Sequence, residues 1–402
     1  VHLAHLRLRD FRNYTRLDAD FAPGFHVLLG DNAQGKTNIL EAIYLMATLR
    51  SFRGVGGAQM IRHGAKGYFV GGNVVGGLIQ KIGGAHPLNR PSATFSPTGG
   101  EGRDEGATVA TREKDILTSH LDHEIKIYWS AKERKLALDG QPVKKLSDYF
   151  GTLRTVVFCT EDLQLIKGTA RSRRRFIDLL LAQTQPGYLA LLQRYMHAVR
   201  NRNALLKQRV VDEAALESFS AELVKLGNEI IRARRELIPK FSPLARLAYR
   251  RISNDAEELR IEYQPSVKND FAVELAQSRA RERTFRATLV GPHRDDLQLL
   301  QNGKSAAQFG SEGQKRTLAI ALKMAQAEFL TGIHGSPPVL LIDDVMGELD
   351  VKRRSGLLPL LERAHHARGQ VFMTCTEENW PVELGRELRR WKVAASALRL
   401  EQ

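Results

Sequence analysis

Cysteine is almost missing from this 402-residue sequence; the two present, Cys159 and Cys375, each sit inside an apolar, strand-like run. That scarcity argues against a disulfide framework or a cysteine-ligated metal site and makes a reducing cytoplasm the expected setting. Long apolar runs are missing too. None approaches the ~18–20 residues that span a bilayer, so no membrane segment is expected. The opening VHLAHLRLRDFRNY alternates apolar and charged residues, unlike a secretory signal. Acid is in short supply: 45 Asp and Glu face 60 Lys and Arg, a net charge of +15. A chain this basic often meets a polyanion, most commonly nucleic acid, although a merely basic surface has the same arithmetic.

What is present suggests two or three structural units. His2–Leu8 alternates as a strand, Gly24–Leu29 is a short apolar run, and Asn38–Leu49 has helical periodicity. Fifteen of the 33 glycines fall between Gly54 and Gly106, where strands and turns of a β-subdomain are expected, with an insertion over about 82–111. From Lys167 to Arg260 there are 19 Lys and Arg against 10 Asp and Glu. There Leu216, Phe219, Leu223, Leu226, Ile230, Ala233 and Leu237 form a three-heptad seam that Pro239 should end. An earlier helix carrying Tyr188, Leu191, Tyr195 and Leu205 would pack beside it as a short antiparallel arm. Strands at Val339–Ile342 and Gln370–Met373 flank a helix at Ser355–Ala367, so both ends of the chain read as parts of one sheet.

Four motifs carry chemistry. Gly30-Asp31-Asn32-Ala33-Gln34-Gly35-Lys36-Thr37 fits G-x-x-x-x-G-K-[ST] between an apolar strand and a helix. Its backbone N–H groups would wrap the phosphates of ATP, Lys36 would neutralise the β- and γ-phosphates, and Thr37 would ligate Mg²⁺. Val339–Ile342 ends in Asp343, a second candidate Mg²⁺ ligand, followed by Asp344, a candidate to polarise the attacking water. Ser311-Glu312-Gly313-Gln314 starts a helix; it resembles the signature of the ATP-binding-cassette superfamily, although in isolation such a start reads as a helix cap. Gly347-Glu348-Leu349-Asp350 resembles that superfamily's D-loop. The 275 residues from Lys36 to Ser311 exceed the interval in transporter ATPases and point to the SMC-like branch, with a short arm.

Longer segments narrow the resemblance. Leu8–Arg53, Phe158–Leu181, Gly291–Asp296 (GPHRDD) and Phe309–Ala325 are similar to the RecF family of bacterial recombination and replication-repair ATPases, and only roughly Gly71–Thr118 matches nothing familiar. The resemblance implies an α/β ATP-binding-cassette-type P-loop ATPase head with a β-subdomain and an inserted helical lobe bearing a short antiparallel coiled-coil-like arm. The expected division is 1–160 and 327–402 for the ATPase lobe and 161–326 for the helical lobe. It also implies an ATP-dependent homodimer on gapped DNA, acting with RecO and RecR to help load RecA. Ser311, Gly313 and Gln314 of one subunit would then face phosphates held by the other, and Arg12 would lie near the nucleotide or merely at the core edge.

Departures from the wider superfamily bear on rate and switching. Asp344 stands where transporters carry Glu, which with the short arm implies slow hydrolysis. No switch histidine follows the last core strand, so a sensor role can pass only to Thr374. Glu161, Asp162 and Gln164 remain alternatives for the Q-loop. Arg171, Arg173, Arg174 and Arg175 form a candidate DNA-facing patch, and GPHRDD would either sense nucleotide or brace the head, with bracing the favoured reading. A transporter subunit is disfavoured by the long interval and basic arm, and a nuclease by the lack of further acidic clusters.

Overall fold

The computed structural model describes residues 1–77, 121–253, 257–367, 369–376 and 388–401. The insertion expected over 82–111 lies outside them. The chain begins with strands His2–Phe11 (β1), Tyr14–Asp20 (β2) and Gly24–Leu29 (β3), followed by helix Lys36–Thr48 (α1). Strands Gly67–Gly77 (β4), Leu121–Ser130 (β5), Arg134–Leu138 (β6), Gln141–Pro142 (β7) and Thr155–Phe158 (β8) come next. The helical middle holds Gln164–Lys167 (α2), Ala170–Thr184 (α3), Tyr188–Leu206 (α4) and Glu213–Ile252 (α5). It continues through Leu259–Gln264 (β9), Phe271–Phe285 (α6), Asp296–Gln301 (β10), Lys304–Ser305 (β11), Ala306–Phe309 (α7) and Glu312–His334 (α8). Val339–Asp343 (β12), Val351–His366 (α9), Gln370–Cys375 (β13), Leu388–Ala394 (β14) and Ala397–Leu400 (β15) complete it.

The two ends of the chain meet in one sheet, of order β15-β14-β3-β13-β12-β8 among the described residues. All its pairings are parallel except that of β15. Central parallel strands are buried on both faces and therefore read as continuous apolar runs, as FHVLL, VLLI and VFM do. Their residues divide between two cores. Val371 and Met373 join Leu340 and Ile342 on the side of α8, while Phe372 joins Val339 and Leu341 on the side of α1. A second sheet, β2-β1-β4-β5-β6-β7, is antiparallel and forms the β-subdomain. The expected division at 326/327 falls inside α8, which runs unbroken from Glu312 to His334.

Pro239 does not end the seam. Helix α5 continues through Pro239 and Pro243 to Ile252. Both prolines lie on its exposed side, so the missing N–H bonds face solvent, while Phe241, Ala245, Ala248, Tyr249 and Ile252 go on burying the opposite face. Phe241 meets Phe176 and Phe329 edge-on. That burial offsets a proline penalty of about 3 kcal/mol.

Helices α4, α5 and α6 are joined by a buried ion pair. Arg202 and Glu282 are both 0% exposed and 2.6 Å apart, and Arg202 also donates to Ser220 and Thr288. Truncating one partner of such a pair strands the other charge. Arg202→Ala is therefore expected to cost about 3–5 kcal/mol in urea unfolding, and replacing both residues with apolar ones of similar volume should cost much less. Equal losses in the two variants would show that packing volume, not charge pairing, is what the site supplies.

Candidate nucleotide-binding site

The loop from Gly30 to Gly35 leaves β3 at its C-terminal end and enters α1, with Gly30, Ala33 and Gly35 all at positive φ. Gly35 opens α1 at φ 111°, and a Cβ there would press on the side chains of Asn13 and Tyr14. Those two residues hold the loop from outside. Asn13 Nδ2 donates to Gln34 O at 3.0 Å, Tyr14 Oη donates to Gly35 O at 3.2 Å, and Asn38 Nδ2 donates to Asn13 Oδ1 at 2.8 Å. From the C-terminal hairpin, Ala395 N–H donates to Gln34 Oε1 at 2.7 Å. Lys36 is 4% exposed, its Nζ folded onto the carbonyls of Gly30 (2.5 Å) and Asp31 (3.0 Å). Its charge is thus sequestered by the oxygens of its own loop.

Register brings the acidic pair to this loop. β12 pairs with β13 so that Asp343 lies opposite Thr374. Thr37 Oγ1 donates to Asp343 Oδ1 at 2.8 Å, and Thr374 Oγ1 donates to the same oxygen at 3.0 Å. Burial pushes the Asp343 carboxyl up to about 6, the two hydroxyls oppose that shift, and the charge of Asp344 adds to it. A half-buried carboxylate beside a hydroxyl, its second oxygen without a hydrogen bond among the described residues, is a hard-oxygen donor set suited to Mg²⁺, which takes one or two protein ligands and completes its shell with water and phosphate. Asp344 is exposed at φ 53°, its backbone N–H bonded to Thr374 Oγ1 at 2.9 Å. Thr374, which the sequence offers only for want of a switch histidine, therefore touches both aspartates.

Arg12 lies beside the loop but faces α1. Its Nε and Nη2 each donate at 2.7 Å to the two oxygens of buried Glu41, and Nη1 reaches Gln59 O at 2.9 Å. The sequence points to the arginine of FRNY, yet it is the following Asn13 and Tyr14 that touch the phosphate loop. Of the three Q-loop alternatives, Asp162 is engaged: it accepts from Cys159 N–H at 3.0 Å and lies 3.6 Å from Lys323. Glu161 and Gln164 line a smaller cleft with Arg53.

Ser311, Gly313 and Gln314 stand at the start of α8. Ser311 Oγ accepts from Gln314 N–H at 3.2 Å and Gln314 Oε1 accepts from Ser311 N–H at 2.8 Å, a reciprocal capping box. Gln314 Nε2 donates to Glu257 at 2.8 Å. Arg353, on the helix after the D-loop, donates to Thr317 Oγ1 at 2.8 Å and pairs with Asp350 at 2.7 Å, clipping the signature helix to the D-loop. No sequence pattern singles out Glu257 or Arg353.

The four arginines of α3 divide. Arg173 departs from the expected DNA-facing set: it makes a two-pronged pair with Asp296 (2.7 and 2.9 Å) and donates to Gly168 O, so its charge is neutralised inside the lobe. Arg174 donates to Asp295 O at 2.5 Å and Arg175 to Ser51 O at 3.2 Å, each leaving guanidinium nitrogens for a cleft that exposed Arg171 also lines. In GPHRDD, the fully buried Asp295 accepts from Arg234, Tyr263 and Ser266 N–H, which is the geometry of a brace.

Fold and site together define a nucleotide-binding head of the ATP-binding-cassette type, its two halves separated in sequence by a helical insertion. The profile described as RecF/RecN/SMC N terminal domain matches residues 2–391, and the chain belongs to the RecF family. A "DNA replication and repair protein RecF" of Symbiobacterium thermophilum is 35% identical over 95% of each chain, and one of Streptococcus pneumoniae is 36% identical over 93% of this chain and 92% of its own. A solved structure of the recombination mediator protein RecF with ATP, in the RecFOR pathway, superposes with a TM-score of 0.82 at 27% identity over 100% of this chain and 98% of the other. The Smc head domain of Pyrococcus furiosus shares the fold, at 14% identity and a TM-score of 0.54 over 100% and 96%.

The outside grip on the loop is testable. Asn13→Ala deletes two hydrogen bonds worth about 1 kcal/mol each. Their loss loosens the phosphate loop, and binding of a fluorescent ATP analogue should weaken by up to about thirtyfold. Unchanged binding would mean that the loop holds its shape without Asn13.

Proposed function

We propose that this chain is an ATP-switched DNA-binding protein of recombinational repair and replication-fork maintenance. One contact carries the reading: Thr37 Oγ1 lies 2.8 Å from Asp343 Oδ1 across 306 residues of sequence. It joins a phosphate loop to a strand-end carboxylate, the pair of parts that grips a nucleotide triphosphate and its Mg²⁺. In this reading residues Gly30–Thr37 hold ATP, Thr37 and Asp343 hold Mg²⁺, Lys36 leaves the loop carbonyls for the phosphates, and Asp344 polarises the attacking water. The shorter reach of Asp344 relative to a glutamate, and the anchoring of its backbone by Thr374, favour slow hydrolysis that resets a switch and cuts no DNA.

The signature residues support a dimer. Among the described residues, the side-chain hydrogen bonds at Ser311, Gly313 and Gln314 run to one another, to Thr317 and to Glu257, the Ser311 carbonyl accepts from Lys315 N–H, and none goes to the phosphate loop. Ser311 is exposed at a helix N-terminus, which favours an anion. A second copy's γ-phosphate would meet that need, so ATP would close two heads on DNA, with Arg171, Arg174 and Arg175 among its contacts and DNA stimulating hydrolysis. Relatives named for the RecFOR pathway make RecO and RecR the proposed partners and RecA loading on gapped DNA the proposed outcome.

Sedimentation of wild type and Lys36→Met with ATP–Mg²⁺, with and without a gapped duplex, tests the switch. Wild type should dimerise with ATP and hold DNA more tightly in that state, while the variant stays monomeric. A wild type that remains monomeric and binds DNA equally with or without ATP would sink the clamp.

A further inference from the structure

Glu257, shortly after the end of α5, belongs to none of the nucleotide motifs, yet its carboxylate is held by three elements. Tyr249 in the last turn of α5 donates its hydroxyl to Glu257 Oε2, Gln314 Nε2 at the start of α8 donates to Oε1 at 2.8 Å, and Gln301 Nε2 on β10 donates to the Tyr249 hydroxyl oxygen at 2.8 Å. Burial would raise the pKa of Glu257, but the bonds from Tyr249, Gln314 and Gln301 and the nearby charge of Arg353 outweigh it and hold the carboxyl below its ordinary value. Glu257 is therefore an anion at neutral pH, and an ionised carboxylate only accepts hydrogen bonds. That decides which way round the Gln314 amide stands. Turned over, its N–H end would face the Ser311 N–H, donor against donor, and its oxygen would face Glu257, acceptor against acceptor. As it stands, Oε1 takes the Ser311 N–H at 2.8 Å, and Gln314 N–H in turn donates to Ser311 Oγ at 3.2 Å. A charged acceptor on the N–H end also polarises the amide and strengthens its oxygen as an acceptor.

We propose that Glu257 is a positioning residue for the signature: by fixing the Gln314 amide it fixes the turn at Ser311, so that the Ser311 hydroxyl and the Gly313 N–H are set to receive the γ-phosphate on a second copy. The proposal rests on the dimer reading above and adds to it a residue from outside the signature. With one lone pair of Ser311 Oγ occupied by Gln314 N–H, the hydroxyl proton is left to turn outward, and Ser311 is exposed. Gly313 N–H is among the first donors of α8, which have no partner within the helix. The negative charge of Glu257 does not cancel this donor array. It is offset by Arg353, whose Nη2 would lie 3.0 Å from a Cβ on Gly313, so a cation stands against the signature glycine. A glutamine at 257 would fasten α5 to α8 as well, but it could present either end of its amide and would leave Gln314 free to turn over.

Hydrogen exchange of the nucleotide-free chain reads the turn by itself. Glu257→Ala should speed exchange of the Ser311 and Gln314 amides about tenfold, the loss expected for one charged hydrogen bond. Glu257→Gln, which keeps the tie but not the charge, should fall between that variant and wild type. Sedimentation with ATP–Mg²⁺ reads the consequence. Glu257→Ala and Gln314→Ala should each weaken ATP-driven dimerisation about tenfold, and the double variant no further, because one residue acts through the other. A fluorescent ATP analogue should bind Glu257→Ala within a factor of about two of wild type, since Glu257 makes no bond to the phosphate loop among the described residues. Additive losses in the double variant, unchanged exchange in Glu257→Ala, or Glu257→Gln matching wild type in both measurements would overturn the proposal and leave Glu257 as a fastening of α5 to α8. A wild type that stays monomeric with ATP would retire the dimer reading, and with it the phosphate role of the turn, while faster exchange in Glu257→Ala would still assign the turn to Glu257.

Discussion

The contact between Thr37 and Asp343 exists only because β3, β13 and β12 lie side by side in parallel and in one register. β3 aims the phosphate loop at the C-terminal edge of the sheet, and β12 delivers Asp343 to the same edge with β13 between them. Side chains alternate faces along a strand, so a slip of one residue would turn Asp343 away from Thr37 and Thr374. Everything else about the site is secondary to that alignment. Asn13, Tyr14 and Ala395 shape the loop, and Glu41 with Arg12 fixes the helix that follows it, but none of them could bring the two halves of the chain together.

Much of the chain's positive charge is structural. Arg202, Arg234 and Arg173 are paired inside the helical lobe, with Glu282, with Asp178 and Asp295, and with Asp296. The first ties α4 to α6 and the others tie α3 and α5 to the GPHRDD segment, and together they place the walls of the cleft that Arg171, Arg174 and Arg175 line. Interior arginines of this kind position the outer ones that remain open to an anion. Net charge therefore overstates how much of the surface remains open to an anion, and the helical lobe uses the same residue type for two distinct purposes.

The phosphate loop, the strand ending at Asp343 and the capped start of α8 are legible in the sequence because each is local: a few consecutive residues whose backbone geometry their own composition dictates. The sharing of one sheet by both chain ends is also legible, from apolar runs too short for anything but buried strands. Pairwise facts across long intervals are not. Arg173 looks identical to Arg171 until Asp296, 123 residues away, is placed beside it. Asn13 stands out by nothing in the sequence until Gln34 is brought against it. Pro239 reads as a stop under a local rule about proline, whereas burial of the helix's far face outweighs that rule. The cleft shows in the sequence only as the arginine cluster of α3; Arg50, Arg194 and Arg200 come to it from other elements.

The position of β3 has a consequence for how the protein is made. This strand emerges early, yet both its sheet neighbours, β13 and β14, begin 346 or more residues later, at Gln370 and Leu388. At ribosomal rates of ~5–20 residues per second, the apolar segment FHVLL waits roughly 20–70 s for the strands that cover its edges. Nucleotide cannot organise the site for most of that interval, because Asp343 and Thr374 are synthesised only near its end. The ATPase head is thus completed from its two extremities inward, after the helical lobe between them has already had time to fold. An unpaired central strand held open for that long is the feature most in need of protection from aggregation in the nascent chain.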